Sequence, residues 1–440
     1  MKLQPFIHRF AVWAACLRLR HAFNFSLNGQ EIDSAPAPHA KQTRTTIDLR
    51  LRCVSMAAHQ VLGFANELSA KLATRSRHVC LFLGAGSSRA CGLPDMTGLT
   101  RLIQAGLDDA LADVFTSQLE HQNLEQVLSR LRRISTLLDD GEGTVDGLTG
   151  AAAKELDQDI CRQIVDGVSL EAADATPVLR LAAWAARADY HLPVEIFTVN
   201  YDLLLETAFD SLGLPYFDGF MGSLRARFRT EYVEAGPSES ASWLPAFFTR
   251  LWKLHGSVNW AWENDPRADV VRLGGPVHDD QPAAIYPSDA KYDESRRVPF
   301  VVLQDRFRRA LHHPESLVLI SGYSFGDAHL NEMIFDAATR KQRSEFIAFS
   351  YGSIPDEVAE RALLTPNFQA LGANEAIIGC KRSGWTAPGD TPTELWNDDK
   401  FGLGSFSNLA TFLSRSSPPQ SDLEARMAEL LATAAESAGA

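Results

Sequence analysis

Apolar residues recur at helical spacing from Met56 to Leu72, and then the pattern changes. Residues 79–83 are an unbroken apolar run, the length of a strand buried on both faces, and they lead directly into Gly84-Ala-Gly-Ser-Ser88. From about 100 to 186 the spacing is helical almost throughout, with Leu124, Val127, Leu128, Leu131 and Ile134 on one stripe. Short apolar runs return at 194–199, 251–254, 283–286, 317–321, 346–349 and 376–378, with helical patterns after several of them, notably 203–212 and 328–338. Short apolar strands alternating with helices predict an α/β fold: a Rossmann-like parallel sheet with helices on both faces and a large helical insertion. In the tail, Ser421 and Glu424 form a capping box ahead of Leu423, Met427, Leu430 and Leu431, which predicts a short amphipathic helix.

These patterns divide the chain into a disordered extension over 1–55, a main domain over 56–415, and a linker with the tail helix over 416–440. The extension carries Lys2, Arg9, Arg18 and Arg20 and no acidic residue up to position 30. It resembles a transit peptide only weakly, and Met56 is the better start for the folded chain.

Composition narrows the function. Over 440 residues, 42 Lys and Arg stand against 55 Asp and Glu, a net charge of −13, which disfavours direct nucleic-acid binding. The run Arg130, Arg132, Arg133 is read as a solvated helix face. The six cysteines (Cys16, Cys53, Cys80, Cys91, Cys161 and Cys380) include no C-x-x-C pair, which excludes a zinc ribbon of that type and predicts no zinc module. Their scatter fits a reducing, cytoplasmic setting, and no apolar run is long enough to span a membrane.

Four segments could carry chemistry. Gly84-Ala-Gly-Ser-Ser-Arg-Ala-Cys-Gly-Leu-Pro94 follows a strand; small residues there let backbone approach a pyrophosphate, although Arg89 occupies the third-glycine position of the usual dinucleotide fingerprint. Phe197-Thr-Val-Asn-Tyr-Asp202 ends a second strand, so Asn200 and Asp202 face the crevice where such sheets bind ligands. Lys253-Leu-His-Gly256 places His255 at a third strand end. Gly322-Tyr-Ser-Phe-Gly-Asp-Ala-His-Leu-Asn331 follows a fourth. It contains a literal G-x-S-x-G, but the sole histidine after Ser324 is His329, five residues on, where it cannot complete a hydrolase triad. Each segment alone also fits a structural role as a tight turn or helix cap.

Together and in this order, the four segments resemble the sirtuin-like family. Gly84, Ala85, Gly86, Ser88 and Pro94 match its glycine loop; Thr198, Asn200 and Asp202 match its Thr-Gln-Asn-x-Asp; His255-Gly256 matches its catalytic histidine; Gly322 and Ser324 match its late Gly-x-Ser. Lys253-Leu-His-Gly256, Tyr286-Pro287 and residues 322–331 are similar to the zinc-free bacterial antiphage-defence branch. The similarity spans roughly residues 60–380. It implies NAD as substrate, no metal, and cleavage of the nicotinamide–ribose bond in antiphage defence. It implies catalytic roles for Asn200 and His255, and NAD contacts for Gly84, Ala85, Gly86, Ser88, Pro94, Asn200, Asp202, Gly322 and Ser324. Asp327 is expected to cap the helix that follows it. A homo-oligomer and a partner such as a HerA-type ATPase or short Argonaute follow from the same resemblance. A deacylase or ADP-ribosyltransferase and a non-catalytic NAD or ADP-ribose sensor are the rival functions. Val199 in place of Gln and the missing C-x-x-C pairs weigh against deacylation.

Overall fold

An apolar run without polar alternation is stable as a strand only where both of its faces are covered. The computed structural model describes residues 58–119, 122–138, 141, 143–235, 248–263, 270–277, 283–285, 298–341, 343–415, 427–430 and 432. In it, β1 (His78–Leu83) is buried along its whole length. Val79, Leu81 and Leu83 enter one hydrophobic core, while Cys80 and Phe82 enter a second on the opposite face.

Around β1 lie β2 (Glu195–Thr198), β3 (Thr249–Lys253), β4 (Gly256–Trp262), β5 (Ser316–Ser321), β6 (Glu345–Phe349) and β7 (Phe368–Leu371). All but β4 join one sheet in the order β7-β6-β5-β1-β2-β3, every neighbouring pair being parallel. The chain leaves β1 for β2 and β3 on one side and returns to β5 and β6 on the other. The boundary between β1 and β5 is therefore a topological switch point, where ligands bind beyond the carboxyl ends of the strands.

Helix α1 (Val61–Leu72) precedes β1. Between β1 and β2 come the insertion helices α2 (Met96–Gly106), α3 (Asp109–Leu119), α4 (Leu124–Leu138), α5 (Gly150–Gly167) and α6 (Thr176–Arg187). After them come α7 (Leu204–Leu212), α8 (Phe300–Leu311), α9 (Ala328–Arg340), α10 (Asp356–Leu364) and α11 (Phe406–Arg415). The first core takes residues from α1, the insertion, α7 and α11; the second takes them from α8, α9 and α10. The predicted stripe of α4 is buried in full, because its five apolar residues lie on one face at a 3.6-residue period. The α/β class, the parallel sheet covered on both faces and the helical insertion all match the expectation.

Three details differ. The run at 283–286 does not join the main sheet: Ala283–Ile285 pairs antiparallel with β4, in a small sheet completed by Val270–Leu273, Arg225–Phe228 and Phe220–Met221. The run at 376–378 belongs to Glu375–Ile378, which is antiparallel to β7 because the connection after Leu371 is far too short for a parallel crossover. The helical pattern proposed from Met56 becomes helix only at Val61, after an edge strand at His59–Gln60 that pairs with Lys381–Thr386.

The chain divides into the units Met1–Ser55 and Met56–Ala440. The first, along with Tyr286-Pro287 and most of the expected tail helix, lies outside the described residues. Residues 427–430 are helical, and Met427 and Leu430 pack on the first core. Among the described residues no helix is long and apolar enough to cross a membrane.

Candidate active site

The loops after β1 and β5 meet backbone to backbone at the switch point. The Gly84 amide donates to Ser321 O at 3.0 Å, and the Gly86 amide to Gly322 O at 2.8 Å. A Cβ on Gly84 would lie 2.6 Å from Gly322 O, and one on Gly86 would lie 2.7 Å from Gly322 Cα. Gly322 itself has φ +65°, a conformation open to glycine at little cost. The sequence gives these small residues to a pyrophosphate; in the structure they let two loops touch, and the amides of Gly84, Gly86 and Ser87 are spent on that contact and on the following turn. Gly86→Ala is expected to cost about 1–3 kcal/mol through overpacking against backbone, seen as a lower midpoint in urea unfolding; an unchanged midpoint would show that the loops can part freely.

Asn200 ties the β2 end to this pair of loops. Its side-chain amide donates to Gly84 O at 3.1 Å, Ser87 Oγ at 3.0 Å and Ser88 Oγ at 2.8 Å, two hydrogens shared among three acceptors. Ser88 Oγ passes the chain on to Asp202 Oδ2 at 2.5 Å, and Asp202 Oδ1 accepts from the Leu204 amide, starting α7. Lys253, only 2% exposed, holds the loop from below. Its ammonium donates to Tyr201 O, Asp202 O, Glu206 Oε1 and Ser257 Oγ, which satisfies a cation that could not otherwise be buried. The cavity enclosed by Ser87, Ser88, Asn200, Asp202 and Lys253 measures about 10 Å³, the space of a single water.

His255 sits in the two-residue turn between β3 and β4, made possible by Gly256 at φ +84°. Thr198 and Lys253 are paired in register, so Asn200 and His255 each stand two residues beyond a matched pair. The imidazole is buried, with Nε2 3.4 Å from Asp327 Oδ2. Its Nδ1 has no hydrogen-bond partner and lies 3.9 Å from Glu125 Oε1. Asp327 caps α9, accepting from the amides of His329 at 2.9 Å and Leu330 at 3.2 Å. Burial pushes the Asp327 carboxyl up, but His255 and the two helix amides outweigh it and hold the group below the usual carboxylate range.

Apart from His255, which packs on Asp327, the expected residues separate into two groups. Gly84, Gly86, Ser88, Asn200, Asp202 and Gly322 form one hydrogen-bonded knot, with Ala85 opening the short helix inside it. Ser324 is exposed in the loop after β5, and Pro94 is half-buried ahead of Asp95, the N-cap of α2; neither joins the knot. The His255 contact of Asp327, and Glu125 altogether, were not foreseen. Asp327 carried a signal, its fixed place in the segment 322–331; Glu125 carried none, lying far from His255 in sequence. Among the described residues no group of three His, Cys, Asp or Glu is placed to hold a metal ion.

Residues 194–371 match the SIR2-like domain family, a segment that is less than half of the chain and holds Asn200, Asp202, His255, Gly322 and Ser324. The match supports a sirtuin-like family. No curated protein matches the chain. Among solved structures, it is similar to a triple mutant of a Sir2 homologue in complex with 2'-O-acetyl ADP-ribose, at TM-score 0.39 and 11% identity, covering 79% of this chain and 94% of that one. It is also similar to a point mutant of a Sir2 homologue in complex with ADP-ribose, at TM-score 0.35 and 13% identity, with the same coverage.

Proposed function

We propose that this chain is an NAD glycohydrolase, which releases nicotinamide and ADP-ribose. The observation that carries the proposal is the placement of Asn200 and His255 on adjacent strand ends beside the switch point, within the segment that matches the SIR2-like domain. In this reading NAD lies across the strand ends, where ligands of such sheets bind, over Gly84, Ala85, Gly86 and Ser88 on one side and Gly322 and Ser324 on the other. Pro94 borders the first side. Asp202 holds Ser88 and lends negative charge near the ribose.

The C1′–N bond breaks with its electron pair passing to the pyridinium nitrogen, which neutralises the leaving nicotinamide, so little acid assistance is needed. Asn200 orients the ribose or the water at C1′ as the oxocarbenium-like centre develops. His255 accepts the proton that water loses as the new C1′–O bond forms. The resemblance to the zinc-free defence branch supplies a setting, NAD depletion during phage infection in a homo-oligomer governed by a separate partner protein such as a HerA-type ATPase or short Argonaute.

The test is NAD consumption by the purified full chain, with nicotinamide and ADP-ribose quantified in the presence and absence of an acylated peptide. Equimolar release of the two products without peptide supports hydrolysis. Nicotinamide release that requires peptide, with loss of the acyl group, would replace the proposal with deacylation. ADP-ribose attached to protein would replace it with transfer, and binding without turnover with a sensor.

A further inference from the structure

Helix α4 belongs to the insertion, yet its first turn reaches the strand ends. Leu124 and Leu128 are buried in the first core, and Glu125 between them is half-buried toward the site. Glu125 Oε1 accepts from the hydroxyl of Tyr201 at 3.2 Å and stands 3.9 Å from the orphaned Nδ1 of His255. Tyr201 is the residue between Asn200 and Asp202, and it is only 7% exposed. Its carbonyl is clamped by Lys253 Nζ at 3.3 Å, Ser257 Oγ at 3.3 Å and the Val258 amide at 3.0 Å, all from the β3–β4 turn and its flanks. Backbone contacts fix one end of this residue, and the insertion fixes the other.

We propose that Glu125 is a positioning residue, through which the helical insertion completes the site: it anchors the Asn200–Asp202 loop by way of Tyr201 and flanks Nδ1 of His255. The inference rests on Asn200 and His255 being the groups that carry the chemistry. A carboxylate suits both tasks. It accepts the phenol hydrogen in dry surroundings, and it offsets the charge of the imidazolium formed when His255 takes a proton. An approach of roughly 1 Å by α4 would bring Glu125 within hydrogen-bond reach of Nδ1, so the seating of the insertion sets how complete the site is.

The experiment compares the full wild-type chain with Glu125→Ala, Glu125→Gln, Tyr201→Phe and, as a control, Arg133→Ala, an exposed position on the same helix. Hydrogen–deuterium exchange is read beside steady-state kinetics. In Glu125→Ala and Tyr201→Phe, exchange of peptides covering 199–204 and 254–258 should rise roughly tenfold or more, the scale of a lost hydrogen bond to a charged group. Peptides of α5 and α6 should not change, and Arg133→Ala should match wild type throughout. Glu125→Gln keeps an acceptor and should restore the protection. Where the chain cleaves NAD, kcat of Glu125→Ala should fall by about tenfold or more with KM within about twofold. Unchanged exchange at 199–204 overturns the inference, whether or not NAD is cleaved; so does a rise spread through α5 and α6, which would make Glu125 a helix-stabilising residue only. An absence of NAD cleavage in wild type counts against the glycohydrolase reading, and the exchange result still decides the role of Glu125.

Discussion

His255→Ala is expected to abolish NAD cleavage, and Asn200→Ala to do the same, with both variants staying folded. Removing a general base costs about 10²–10⁴-fold in rate, so nicotinamide release should drop to the limit of detection in a turnover assay. His255 makes ion-pair contacts to Asp327 at 3.4 Å and to Glu125 at 3.9 Å, and its Nδ1 is left without a hydrogen bond. A group held so lightly contributes little to stability, and the thermal midpoint of His255→Ala should stay within a few degrees of wild type. Asn200 carries more of the structure, since its amide joins Gly84, Ser87 and Ser88. Asn200→Ala should lose about 1–3 kcal/mol of stability besides its activity, because three acceptors each lose a donor together. Wild-type turnover in both variants, with folding intact, would sink the assignment of the site. Asp327→Asn separates the two functions of Asp327: an amide oxygen can still cap α9, but it presents no charge to His255.

Much of this arrangement is legible in the chain, and what is not has physical causes. Strands such as 79–83 and 317–320 declare themselves because burial on both faces removes every polar position. The insertion declares itself through the α4 stripe. Edge strands of two residues, such as Tyr216–Phe217 and Lys400–Phe401, are too short for any period to show. β4 begins at the residue after His255, and its Gly256-Ser-Val-Asn-Trp260 start mixes polar with apolar positions, so no apolar run marks it. The glycines were legible as places of close approach; the approaching group proved to be another loop of the same chain. Local spacing reveals strand ends, where Asn200 and His255 stand. It cannot reveal which distant helix lies over them, and Glu125 is visible only once the insertion has folded back.

The opposite end of the sheet makes the contrast sharper, because charge is buried there for stability. Glu195 opens β2 with no exposed surface. It accepts from Trp252 Nε1 at 2.6 Å, from Arg306 Nε at 2.8 Å and its NH2 group, and from His78 Nε2 at 2.8 Å. Burial alone would push this carboxyl up, but Arg306 and His78 prevail and hold it far below the usual glutamate range. Arg250 lies close by, pushed down to about 10 chiefly by burial. Glu195→Ala leaves the Arg306 guanidinium and the indole N–H in a dry interior without their acceptor, and should cost about 3–5 kcal/mol in urea unfolding. The sign of the pH dependence follows from the lowered value. Wild type draws full benefit from the ionised carboxylate above the unfolded-state value, about 4.3, and loses it as the pH falls toward the folded-state value. The gap in stability between wild type and Glu195→Gln should therefore keep its full width from neutrality down to about pH 4.3 and narrow steadily below that value. A gap that stays constant down to strong acid would mean that packing and neutral hydrogen bonds, and not the carboxylate charge, hold β1, β2, β3 and α8 together at this end.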